Sequence, residues 1–202
     1  MINDYLMSYP IWLKNPYSYI FSAVFILIFI SYFFLLKKPL GYNKGKVYDR
    51  RWTQIYIASV GTSILSGFLI SFGEIGRIEE HRVFWFFSGL IFMLAGSIIR
   101  LIAFRTLGKQ FSIIVTIRQN HELVKKGIYS LMRHPAYTGL FLFMLGLGLS
   151  LGNWLSLLII FAASVTIAFF RVPLEEKALM EKFGDEYRSY MKKTKRYIPY
   201  LF

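Results

Sequence analysis

Two short stretches hold residues able to do chemistry in an otherwise apolar chain: H-E-L-V-K-K-G-I-Y-S-L-M-R-H-P-A-Y-T-G over 121–139 and F-F-R-V-P-L-E-E-K-A-L-M-E-K-F-G-D-E-Y over 169–187. In the first, Pro135 suits the opening turn of a helix, where its missing N–H removes no helical bond. The residue before it, His134, is biased toward an extended conformation. Free N–H groups at such a helix start, with the helix dipole behind them, favour a carboxylate. In the second, Arg171 and Glu175 stand four apart and share a helix face. There an Arg can receive an anionic group and a Glu a cationic one.

The same residues have plainer uses. Arg, His and Tyr at a membrane interface snorkel or form an aromatic belt. Arg171 with Glu175 reads equally well as a surface ion pair of little worth. Gly127 marks a turn, Gly139 a packing contact, and His121 alone reads as structural. Glu176, Glu181, Asp185 and Glu186 read as a solvated face.

Several chemistries are excluded. The chain has no Cys, hence no disulfide, thiolate metal site or cysteine nucleophile. Its three His (His81, His121, His134) leave no multi-histidine centre, and no metal is expected. No G-x-x-x-x-G-K-[ST], H-E-x-x-H or G-x-S-x-G is present, and no G-x-G-x-x-G follows a strand. The formal charge of +13 needs no nucleic-acid partner; a basic membrane face meets anionic lipid.

The elements that must position these residues are long apolar runs. The chain is 55% hydrophobic, with a mean hydropathy of +0.47, so lipid is the expected solvent for much of its surface. Spans are expected at Tyr19–Leu36, Ile55–Phe72 and Val83–Phe104. The first lacks the flanks of a signal peptide. The block Tyr137–Phe170 is too long for one span, and Gly152-Asn153 breaks it into a short hairpin. Gly146 and Gly148 are expected to let its two helices approach. Lys and Arg after span one, over 100–133 and over 171–196 make up 21 of the 24 basic residues. Five spans place them all on one side, read as cytoplasmic, with the N-terminus outside and the C-terminus inside. An amphipathic helix is expected from near Pro173, with Gly184-Asp185 interrupting it. The fold class is therefore all-α and polytopic, with about five transmembrane helices and a cytoplasmic C-terminal helix. The chain divides into a three-span region, 1–104, and a region bearing the polar motifs, 105–202.

Over about residues 105–200, R-H-P-x-Y-x-G followed by E-E-x-x-L-x-x-x-F-G-x-x-Y-x-x-Y resembles the isoprenylcysteine carboxyl methyltransferase family. This family is related to the phospholipid N-methyltransferases. The resemblance implies S-adenosylmethionine as methyl donor, in a cytoplasmic pocket closed by the C-terminal helices. It implies donor contacts at His121, Glu122, Leu123, Val124, Tyr129, His134, Pro135, Ala136, Tyr137 and Glu175, with Arg118 or Gln119 as candidates for one further contact. Arg171 matches the position that handles the substrate carboxylate, so Arg171 and Glu175 are the implied catalytic pair. The implied acceptor is a lipophilic carboxylate such as a C-terminal prenylcysteine, entering from the bilayer. A phospholipid amine is the alternative acceptor; a sterol-reductase-like or lipid-carrier protein is the more distant reading.

Overall fold

The apolar runs fold as five helices, α1 (Tyr17–Lys37), α2 (Arg50–Ser71), α3 (Arg82–Leu107), α4 (Pro135–Ser150) and α5 (Trp154–Phe183), followed by α6 (Asp185–Lys193). The computed structural model describes residues 9–37, 45–47, 50–112, 116–118 and 122–199. Helices α2, α3 and α5 are each long and apolar enough to cross a membrane, while Tyr17–Phe33 of α1 and all of α4 are shorter apolar stretches. Their backbone bonds close within each helix, the condition for lying in hydrocarbon. Large apolar side chains such as Phe29, Leu65, Ile91 and Phe169 face outward. The molecule is an integral membrane protein. One short element escaped the apolar pattern: β1 (Gly45–Val47) pairs antiparallel with β2 (Thr116–Arg118), Lys46 opposite Ile117. Three residues are too few to show a strand period in sequence.

The tightest seam runs between α3 and α4. A Cβ at Gly89 would lie 2.5 Å from Gly146 O, and one at Gly139 would lie 2.5 Å from Gly96 O. Backbones approach this closely only where side chains are absent. Gly146 therefore serves α3 and not the hairpin expected of it. Gly148 does serve the hairpin, since a Cβ there would lie 2.5 Å from Leu157 Cα.

At one end, the hairpin turn and the α2–α3 connection lock together. Asn153 caps α5 by accepting from Leu155 N at 2.9 Å and Ser156 N at 3.1 Å, and its Nδ2 donates to Ile75 O at 2.9 Å. Trp154 N donates to Gly76 O at 2.7 Å. The 30 residues of α5 rise roughly 45 Å, against a hydrocarbon core of roughly 30 Å. Its apolar part ends at Phe170, and the helix from Arg171 onward projects beyond the spanning segment. No new helix starts at Pro173, contrary to the sequence expectation; Pro173 lies within α5. A proline deletes one helical bond, but Arg171, Val172, Glu176 and Ala178 are buried around it and hold the helix through. The break comes at Gly184, with φ +50, where α6 begins.

Candidate functional site

At the end of the bundle away from Asn153, a cavity of about 490 Å³ lies among α1–α5, α6 and the segment after α3. Gly127, in a left-handed conformation at φ +59, starts a single 3₁₀ turn over Gly127–Ser130. That turn buries Tyr129 against the cavity, and its carbonyl accepts from Tyr190 Oη at 2.6 Å. Pro135 opens α4, which places Ala136 and Tyr137 on the cavity wall. From α5, Arg171 and Glu175 arrive one helical turn apart. Tyr187 and Tyr190 of α6 border the cavity at this end.

Charge and aromatic faces meet here. The Arg171 guanidinium carbon sits 4.9 Å from the ring centroid of Tyr56, and that of Arg100 sits 5.3 Å from Tyr32 and 5.4 Å from Phe104. Arg100 Nε is buried without a hydrogen-bond partner among the described residues. Burial, then the Glu175 charge, then Tyr190 push the Tyr129 phenol well above its ordinary range. It stays neutral at physiological pH.

Of the residues singled out from sequence, Glu122, Leu123, Val124, Tyr129, His134, Ala136, Tyr137, Arg171 and Glu175 all border this cavity. Pro135 is fully buried and does not line it. His121 and Gln119 lie outside the described residues, and of Arg118 only the backbone, in β2, is described.

Two expectations change. Glu176 is not on a solvated face: it is 6% exposed and accepts from Arg133 Nε at 3.1 Å, His134 Nε2 at 3.2 Å and Arg196 Nη2 at 2.6 Å. One residue of helix is about 100° of rotation, which turns Glu175 to the cavity and Glu176 to the tail. Glu181, Asp185 and Glu186 are exposed as expected. The N–H groups around His134 are also taken. Arg133 N donates to Lys195 O at 2.8 Å, His134 N to Arg196 O at 2.9 Å, and Tyr137 N to His134 O at 3.0 Å. Ala136 N–H is the first-turn donor left without a backbone partner among the described residues.

Arg100 and Tyr56 line the site but were not singled out from sequence, whereas Tyr187 and Tyr190, which also line it, end the Y-x-x-Y of the family motif without a role assigned to them. Arg100 had a usable signal, an ionisable residue inside an apolar run. Tyr56 had none, since an aromatic in such a run looks the same facing lipid or ligand.

Residues 89–181 match the model of the isoprenylcysteine carboxyl methyltransferase family. The match starts within α3, at the Gly89 seam, ahead of the motif-bearing half. The protein-S-isoprenylcysteine O-methyltransferase of Saccharomyces cerevisiae is 31% identical over 193 residues, 89% of this chain and 77% of that protein. The chain belongs to the isoprenylcysteine carboxyl methyltransferase family. Other relatives in the family align over less of their length. The Schizosaccharomyces pombe enzyme is 40% identical over 118 residues, 56% of this chain and 49% of that protein. A probable enzyme of Oryza sativa subsp. indica is 35% identical over 128 residues, 60% of this chain and 66% of its own length. This chain thus spans about half to two-thirds of those two relatives. The fold also resembles the solved structure of the eukaryotic intramembrane Ras methyltransferase ICMT, with a TM-score of 0.58 over 86% of this chain and 61% of that one, at 22% identity.

Proposed function

We propose that the protein is an integral-membrane methyltransferase, carrying a methyl group from S-adenosylmethionine to the carboxylate of a lipophilic acceptor of the prenylcysteine type. The observation that carries this reading is that one cavity joins a charged, aromatic end to an apolar limb. Phe25 and Ile28 of α1, Val60 and Ile64 of α2, and Phe143 and Met144 of α4 line that limb. From Tyr137 to Met144 the helix rises roughly 10 Å, room for part of a branched hydrocarbon tail. Phe29 and Ile57 border the cavity and are 67% and 57% exposed on the outside of the bundle. In this proposal the acceptor enters from the bilayer between α1 and α2, past these two side chains.

The charged end fits the donor. Tyr129 and Tyr137 offer ring faces to a sulfonium or an adenine, Glu175 suits the α-amino group, and the Ala136 N–H at a helix start suits the carboxylate. Glu122, Leu123 and Val124 wall the same end, next in sequence to His121. Once bound, S-adenosylmethionine supplies an electrophilic methyl group on a cationic sulfur.

The residues of this chain then have three tasks. A carboxylate acceptor is already ionised near neutral pH, so no side chain need remove a proton. Arg171, seated on the Tyr56 ring, orients that carboxylate and offsets its desolvation. Arg100 presents a second guanidinium from α3. The acceptor oxygen bonds the methyl carbon as the carbon–sulfur bond breaks, and holding the partners in line supplies much of the rate. In this arrangement residues 1–104 mainly shape the acceptor limb and 105–202 the donor end. The basic end faces the cytoplasm, with the N-terminus outside.

Labelled methyl transfer in vesicles tests the proposal, offering an N-acylated prenylcysteine and phosphatidylethanolamine side by side. The prenylcysteine is expected to be methylated, and Arg171→Ala and Glu175→Ala each to abolish this while still folding. Labelling of the amine lipid alone, or no calorimetric binding of S-adenosylhomocysteine, would refute the proposal. Full activity in both variants would refute the site assignment.

A further inference from the structure

Glu175 and Glu176 are neighbours with different company. Glu175 borders the cavity; Glu176 does not. Its carboxylate instead joins three segments that are far apart in sequence: the start of α4 through Arg133 and His134, α5 itself, and the C-terminal tail through Arg196. Arg133 extends the junction, because its Nη1 donates to Met191 O at 3.1 Å and also to Thr194 O at the end of α6. Thr138 Oγ1 fixes the next stretch by donating to Tyr197 O at 2.7 Å. Among the described residues neither Arg133 nor Arg196 pairs with another carboxylate.

We propose that Glu176 is a positioning residue for the donor end of the cavity. Without touching the donor, it fixes Arg133 and His134, both on the cavity wall, and through Arg196 it seats the tail that follows the α6 roof. This rests on reading the cavity as a donor site. Removing the charge leaves the largely buried Arg133 guanidinium and that of Arg196 without the carboxylate they share, which opposes closure. The roof residues Tyr187 and Tyr190 are buried and belong to the segment that Arg133 ties down. Loosening the junction therefore opens the donor end first and leaves the limb between α1, α2 and α4 in place.

The test uses the full chain in detergent, with Glu176→Gln preserving shape and removing charge. The expected result is weaker binding of S-adenosylhomocysteine and a higher donor KM, each by roughly tenfold or more, as for a lost charge-assisted hydrogen bond. The acceptor KM should stay unchanged. Trypsin should cut faster at the exposed Lys192, Lys193 and Lys195. Arg196→Met, whose side chain is 44% exposed and so spares the fold, should shift the same readouts less. The double variant should be no worse than Glu176→Gln alone. Normal ligand binding by Glu176→Gln, donor and acceptor KM rising together, or additive effects in the double variant would overturn this role. Absence of S-adenosylhomocysteine binding by the unsubstituted protein would instead overturn the reading of the cavity itself, and this role with it.

Discussion

Replacing Gly139 by alanine should damage the site through the helix seam. A Cβ there would lie 2.5 Å from Gly96 O, 2.6 Å from Arg100 Cγ and 3.0 Å from Arg100 N. Ordinary non-bonded contacts sit at about 3.5–4.0 Å, so α3 and α4 must part by roughly 1 Å or Arg100 must move. Overpacking of this kind costs about 1–3 kcal/mol, visible as a lower Tm in detergent. The functional loss is larger, because Arg100 borders the cavity and a shift of about 1 Å in a positioned group costs on the order of a hundredfold in rate. Donor affinity should fall as well, though less, since Ala136 and Tyr137 precede Gly139 on α4 while Tyr129 and Glu175 lie on other segments. Gly61→Ala is the control, as nothing lies within 4 Å of a Cβ at that position. A Gly139→Ala protein with the Tm and initial rate of the Gly61→Ala control would show that the seam does not position Arg100.

Other changes separate the remaining arguments. Asn153→Ala removes two capping bonds and the bond to Ile75, and should lower stability by about 2–3 kcal/mol in thermal unfolding, with activity at low temperature retained. Tyr56→Leu should raise the acceptor KM by roughly tenfold by removing the ring beneath Arg171, whereas Tyr56→Phe keeps the ring and should be near normal. For Glu176, burial alone would raise the pKa, but the bonds from His134 and Arg196, then the His134 charge and Arg133, hold it at about 2 against an ordinary 4.5. A depressed carboxylate stabilises fully above its unfolded value, and that stability is lost as pH falls through the folded one. Protection of the tail from an acid-active protease should thus hold above pH 4.5 and fade toward pH 2, a dependence absent in Glu176→Gln.

The helices were legible because each is a run of apolar residues long enough to announce itself, and because Gly152-Asn153 and Gly184 break the pattern locally. Pro173 misled for the same reason: a local rule predicts a helix start, yet burial of the flanking residues carries α5 through. The three-residue ladder left no periodic trace. Within the site, Arg171 and Glu175 were picked out by type and spacing and Tyr129 and Tyr137 by the family resemblance, and the fold gathers them around one cavity. Glu176 was misjudged because a run of acids on an amphipathic helix looks uniformly solvated. Only the arrival of Arg133, His134 and Arg196 shows that one of them is enclosed.

By itself the sequence determined the membrane class, the number of apolar runs, the crowding of basic charge and the two polar stretches. All of these are properties of local composition and period. Tertiary structure decided which glycines join which helices, which of two adjacent glutamates faces the cavity, and that Arg100, Tyr56, Tyr187 and Tyr190 complete its walls. These depend on the rotation of each helix against its neighbours, and the packing of distant segments sets that rotation.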